Sequence, residues 1–229
     1  MVILALDTTH PRGSLALARD GEILEAVPVE APDGFGHVIF QEIEALLGRY
    51  QMKLADIDCY AAASGPGSFT GIRVGLSVVK SLAEAHRKTV VPVSNLLAIA
   101  AAAEGGGEYL CPVMDARRGE VYAAVYDRQL RPVVPETAAT WAALLRLLGE
   151  REVTFAATDA ELFSGAAAAP LDAGSYRGKR VVVSPLLALP IARLAAARQA
   201  EGTALAPEAV EANYVRRADA ELKWRDPGA

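Results

Sequence analysis

A chain of 229 residues with a formal net charge of −5 and 52% hydrophobic residues can make one large domain or two compact ones of about 110 residues, each with a core of its own; two is the expected division. No apolar run approaches the roughly 18 residues of a membrane span, no cationic-then-apolar leader opens the sequence, and no long basic run suits a phosphate backbone. The composition therefore points to a cytoplasmic protein with no membrane contact and little affinity of its own for nucleic acid.

The first elements are strands. VILALDTT (2–9) is an apolar run ending in Asp7, and SLALARDGEILEA (14–26) reads as two strands joined by the hairpin signal Asp20-Gly21. HVIFQEIEALLGRY (37–50) places Ile39, Ile43, Leu46 and Leu47 at helical spacing, with Gly48 near the end. A buried strand IDCYAAAS (57–64), a helix over 70–88, a strand TVVPVS (89–94) and an alanine-rich helix follow, before Gly105-Gly106-Gly107 reads as a linker. The order then restarts. EYLCPVMD (108–115) is an apolar strand ending in Asp115. GEVYAAVYD (119–127), a turn near Arg128-Gln129 and a strand over 130–134 come next, then a helix over about 138–148 and the strand VTFAAT (153–158). A Gly- and Ala-rich loop, the strand RVVVS (180–184) and a helix over about 186–200 complete the pattern. An internal duplication is the economical reading, with one lobe over 1–104 and a second over 108–229. By analogy of element order, each half matches the ribonuclease H-like unit of actin, Hsp70 and sugar kinases, so the expected fold is α/β and actin-like.

Cys59 and Cys111 each lie inside an apolar strand-like run, and His10, His37 and His86 are far apart. Neither a disulfide nor a metal site is expected.

The stretch SGPGSFTGIRVGLS (64–77) holds four glycines. A phosphate-binding G-x-x-x-x-G-K-[ST] loop needs Lys after its last glycine, where Ile72 stands, and a dinucleotide-binding G-x-G-x-x-G fails at Thr70. The helix itself is more informative. At about 100° per residue, Lys80, Arg73, Glu84, Ser77 and Ser81 fill an arc of roughly 100°, and the apolar and small positions span roughly 200°. Ile72, Leu76, Val79 and Ala83 can cover the helix's own sheet. Gly71, Gly75, Val78 and Leu82 remain for a neighbouring helix of the same lobe or for another subunit, with Phe40 or Leu47 of the first helix completing the second kind of face. Ser68 or Thr70 would be the N-cap after a tight turn.

LALDTT, SGPGSFTGIRVGL, MDARRGEVYAAVYD and NYVRR together resemble the TsaB (YeaZ) family, over essentially the whole chain and in order. The resemblance implies an actin-like ASKHA fold related to the catalytic subunit TsaD but without its activity. It also implies partners: a TsaD-like subunit met through the first two helices, a TsaE-like ATPase, and a second copy of the chain through the same surface. TsaD transfers threonylcarbamoyl to adenosine 37 of tRNA, so tRNA would be held mainly by the complex. The interface residues so implied are Ile39, Phe40, Ile43, Leu47, Gly71, Gly75, Val78 and Leu82. TsaD carries an H-x-x-x-H metal motif on the equivalent first helix, whereas Gln41 stands four residues beyond His37 here. Family members often begin that helix with His-Ser, eight residues before the position of Ile43; this chain has Phe35 there, and its histidine is displaced to His37.

Asp7, Thr8 and Thr9, with Asp115 as their counterpart, occupy the turns where actin-like enzymes approach a nucleotide and Mg²⁺. The preferred reading is that Asp7 and Asp115 hold backbone N–H groups of the turns immediately after them, with no catalytic residue and no cofactor. The alternative is an ATP-dependent kinase using Asp7 and Asp115 with ATP or ADP and Mg²⁺. The segment NYVRRADAELKW is expected to return over the first half, anchored by Tyr214 and Trp224, with partner contact through Arg216 or Arg217 as a further option. No Ser-His-Asp or Cys-His set is readable.

Overall fold

The computed structural model describes residues 1–103, 107–172 and 179–216. Strands β1 (Val2–Asp7), β2 (Arg12–Arg19) and β3 (Glu22–Glu30) form a meander, followed by α1 (Phe35–Arg49), β4 (Cys59–Gly65), α2 (Phe69–His86), β5 (Thr89–Ser94) and α3 (Asn95–Ala102). The sheet runs β3-β2-β1-β4-β5, with β1, β4 and β5 parallel. The second half repeats the plan with β6 (Tyr109–Arg117), β7 (Glu120–Asp127), β8 (Pro132–Thr140), α4 (Trp141–Leu148), β9 (Val153–Ala157), α5 (Gly165–Asp172), β10 (Arg180–Val182) and α6 (Ala188–Ala200). Its sheet runs β8-β7-β6-β9-β10, the same arrangement strand for strand. The fold is α/β and actin-like, as the duplicated element order predicts. The hairpin at Asp20-Gly21 forms as expected, with φ of 51° and 87°, the left-handed pair a two-residue turn demands.

Side-chain alternation sorts the cores. In β1, Leu4 and Leu6 join Ile39, Ile43, Ile72 and Leu76 beneath α1 and α2, while Ile3 and Ala5 point to the opposite face. The second sheet has its own outer core of Val113, Phe155, Trp141 and Leu144. Between the sheets lies one shared layer. There α6 packs on β1, β2 and β4 of the first sheet, and α3 packs on β6 and β7 of the second. Alanines such as Ala98, Ala188, Ala192 and Ala195 line this contact and allow close approach. The start of α6 is tied across the chain as well, the Ala188 N–H donating to Ser14 Oγ at 3.0 Å.

Two stretches depart from the sequence reading. Strand β8 continues to Thr140, because Thr137, Ala138 and Ala139 pair with Ala123, Tyr122 and Val121; the helix expected from 138 begins only at Trp141, capped by Thr140. The stretch after Thr158, expected as loop, contains a 3₁₀ turn over Ala160–Phe163 and then α5. Gly105 and Gly106 of the expected linker lie outside the described residues. Both cysteines are buried and free, and burial pushes the Cys59 thiol up to about 11, which leaves it unreactive near neutrality.

Residues 203–216 turn back onto the first half. Leu205 exchanges backbone hydrogen bonds with Val90 at 2.8 and 2.9 Å, Lys80 Nζ donates to Val210 O at 2.9 Å, and the Asn213 N–H donates to Ser64 O at 2.8 Å. Tyr214 is stacked on Phe69 at 5.3 Å between ring centroids. Trp224 and Arg217 lie outside the described residues.

Candidate functional site

The carboxyl ends of β1 and β4 come to one edge of the first sheet, the edge where open α/β sheets present ligand-facing turns. Asp7, fully buried, ends β1. Its Oδ1 accepts from the Thr9 N–H at 2.8 Å and from Thr9 Oγ1 at 2.6 Å, and its Oδ2 lies 3.2 Å from His10 Nδ1. Asn95 Nδ2 donates in turn to Thr9 Oγ1. Burial opposes charge on His10, but the hydrogen bond and the charge of Asp7 outweigh it, so its pKa lies above the ordinary value. In the second half, Asp115 Oδ1 accepts from the Arg117 N–H at 2.8 Å, its side chain about half exposed. Both carboxylates thus hold the turns immediately after them.

A cleft of about 760 Å³ lies between the two turns, lined by Thr8, Thr9, His10, Asp115, Tyr122 and Arg216 among others. Of the residues expected near a nucleotide, Thr8, Thr9 and Asp115 reach the cleft, and Asp7 lies behind its own turn. Sequence reasoning missed His10; its signal was the position three residues after Asp7, within one turn. Among the described residues, no three His, Cys, Asp or Glu side chains are grouped to hold a metal ion.

The glycines of the 64–77 stretch answer to this turn. A Cβ on Gly71 would stand 1.9 Å from Thr8 O, and one on Gly75 would stand 2.6 Å from Thr8 Oγ1. Thr8 Oγ1 donates to Gly71 O at 2.7 Å, and Ser68 caps α2 by accepting from the Gly71 N–H at 3.2 Å. The close approach that these glycines permit is therefore to the β1–β2 turn of the same lobe. Of the two alternatives the sequence left open for Gly71 and Gly75, a neighbour in the same half or another subunit, the space they leave is taken by Thr8 of the chain itself. Val78 and Leu82 are buried in the core beneath α1 and α2, as are Ile39, Ile43 and Leu47.

Of the eight residues expected at the interface, Phe40 is the exception, 49% exposed. It belongs to an outer row of α1, Gly36, Phe40, Glu44 and Gly48, whose members are all exposed. Open space lies above both Gly36 and Gly48. Each glycine costs a helix up to about 1 kcal/mol relative to alanine, and no contact among the described residues requires it. Spacing of four along one helix makes such a row a ridge that a second helix can meet closely. The polar arc of α2 is also partly occupied: Arg73 lies 3.8 Å over the Phe69 ring and donates to Tyr214 Oη at 3.2 Å, and Lys80 holds the returning segment. Arg216, expected as an option for partner contact, pairs with Glu120 at 2.9 Å.

Comparison with known proteins gives a consistent set of relatives. The family model for tRNA N6-adenosine threonylcarbamoyltransferase (TsaD) matches residues 26–223. The tRNA threonylcarbamoyladenosine biosynthesis protein TsaB of Bacillus subtilis (strain 168) is 29% identical over 230 residues, covering 98% of each chain. The Escherichia coli (strain K12) protein of the same name is 35% identical over 133 residues, 56% of each chain. Among solved structures, YeaZ from Pseudomonas aeruginosa is 26% identical with a TM-score of 0.75, over 93% of this chain and 99% of that one. A second Pseudomonas aeruginosa structure, described as similar to the peptidase YeaZ, is 27% identical with a TM-score of 0.76, over 94% of this chain and 99% of that one.

Proposed function

This chain belongs to the TsaD-type threonylcarbamoyltransferase family and, within it, to the TsaB (YeaZ) branch, and from that premise we propose that it acts in tRNA threonylcarbamoyladenosine biosynthesis as a non-catalytic subunit. It supports a TsaD-like catalytic subunit, which it meets through the outer face of α1 and α2. A TsaE-like ATPase joins the pair, and tRNA is engaged mainly by the assembled complex. At high concentration a second copy of the chain competes for the same face. The observation that carries this reading is the outer row of α1, where an exposed Phe40 stands between two helical glycines with open space above them. A helix that leaves a phenylalanine in water and gives up propensity at two sites is built to be covered.

The cleft supports a second reading, an ATP-dependent kinase acting through Asp7 and Asp115. Against it stands the state of Asp7, whose two oxygens already serve Thr9 and His10. The two readings separate in solution. Phe40→Asp is expected to abolish co-elution with the TsaD-like subunit while leaving the melting temperature of the chain within about 2 °C, as for a surface change; unchanged co-elution would count against the scaffold reading. Titration calorimetry of the isolated chain with Mg-ATP is expected to show no turnover, and turnover would favour the kinase.

A further inference from the structure

Three hydrogen bonds from three parts of the chain converge on one carboxylate between the lobes. Glu136, in β8, accepts through Oε1 from Ser94 Oγ, which caps α3, and from Tyr126 Oη at 3.1 Å. Its Oε2 accepts from Asn213 Nδ2 at 2.6 Å. Asn213 also grips the turn before α2: its N–H donates to Ser64 O, and its Nδ2 lies 3.4 Å from Gly65 O. Its own carbonyl sits so near that a Cβ on Gly65 would be 2.6 Å from it.

The segment bearing Asn213 is held at both ends. Leu205 pairs with Val90 on the outer edge of β5 and so covers that edge at one position. Tyr214 stacks on Phe69 in the first turn of α2, and Arg216 reaches Glu120 at the start of β7. The segment is thus a strap that runs beside α2 from the sheet edge to the second lobe. Glu136 fastens it at the point where it touches the Ser64–Gly67 turn.

We propose that Glu136 and Asn213 form a latch through which the second half sets the Ser64–Gly67 turn and the start of α2, and with them the α1–α2 face. The effect on that face rests on the pairing proposed above; the latch itself does not. Hydrogen bonds to a charged acceptor are among the strong ones, and removal of one partner leaves the others unsatisfied. Glu136→Gln removes the charge and replaces one of the two acceptor oxygens by a donor, and Asn213→Ala removes the donor and keeps the backbone bond to Ser64.

The test is amide hydrogen exchange on the full chain. Each variant is expected to speed exchange at Gly71 and Ile72 by about tenfold or more, and the double variant by no more than the larger single effect, as coupled residues require. Leu144→Ala, in the outer core of the second sheet, serves as the control that lowers stability without touching the strap. Exchange unchanged in 64–72, or raised evenly across both lobes as in that control, would overturn the latch. Affinity for the TsaD-like subunit is expected to fall about tenfold in the same variants. Affinity at the level of the unmodified chain, beside faster exchange in the turn, would overturn the coupling to the partner face and leave the pairing itself standing.

Discussion

Asp7 and Asp115 stand at the same place in two copies of one sheet, and each accepts a hydrogen bond from the backbone N–H two residues on, at 2.8 Å in both. Their surroundings differ. Asp7 is fully buried, covered by Thr9 and His10, with α2 pressed against Thr8 through Gly71 and Gly75. Asp115 is about half exposed, with Arg117 beside it. The cause lies just beyond the fourth strand of each half. After β4 a glycine-bearing helix is drawn up to the turn, and after β9 a 3₁₀ turn and the shorter α5 stand in its place. A duplicated scaffold has kept its backbone turn in both copies and specialised the packing in one. The specialised copy also carries the exposed row of α1.

The contrast can be broken experimentally, most forcefully at the glycines. Gly71→Ala places a Cβ where Thr8 O stands and is expected to cost about 3 kcal/mol or more, as overpacking against immovable backbone does; Gly119→Ala, at the turn of the second half with open space around it, is expected to cost about 1 kcal/mol for its left-handed backbone. Urea denaturation measures both, and similar values would erase the asymmetry. Next in size is the carboxylate pair. Asp7→Ala strands the Thr9 N–H and hydroxyl and is expected to cost about 2–4 kcal/mol, against less than about 1 kcal/mol for Asp115→Ala. The smallest effect is a pH dependence confined to the first turn. His10 has a raised pKa in the folded chain, so the stability it contributes is fully present below the ordinary histidine value near ~6.5 and is lost as pH rises through the raised one. Stability measured from pH 6 to 9 is expected to show this loss in the unmodified chain and not in His10→Gln.

Most of the fold is legible because its signals are local. The apolar runs of β1, β4 and β5, buried on both faces, and the Asp20-Gly21 turn read directly from the sequence. Where the reading fails, a partner distant in sequence decides. The alanines at 138 and 139 favour helix on propensity, yet β8 holds them by pairing with β7. Gly71 and Gly75 lie on a face that a helical wheel identifies correctly as closely approached; the wheel cannot say that the approaching surface is Thr8, some sixty residues earlier. Ile39, Ile43 and Leu47, placed at the interface by the family resemblance, are buried in the core, while Gly36 and Gly48 become informative only once the space above them is seen to be open. Glu136 carries no motif at all, and its three partners come from β5, β7 and the C-terminal strap.

The helix that covers the inner face of β1, β2 and β4 is α6, residues 188–200. Ribosomal synthesis therefore delivers the first sheet long before its lid. Ile3, Ala5, Ala61 and Val91 lie on that face, and the part of it that α6 covers closes only after residues 188–200 have emerged. A domain closed by its own neighbouring elements can fold as it leaves the tunnel; here the helix that closes this face is supplied by residues 188–200.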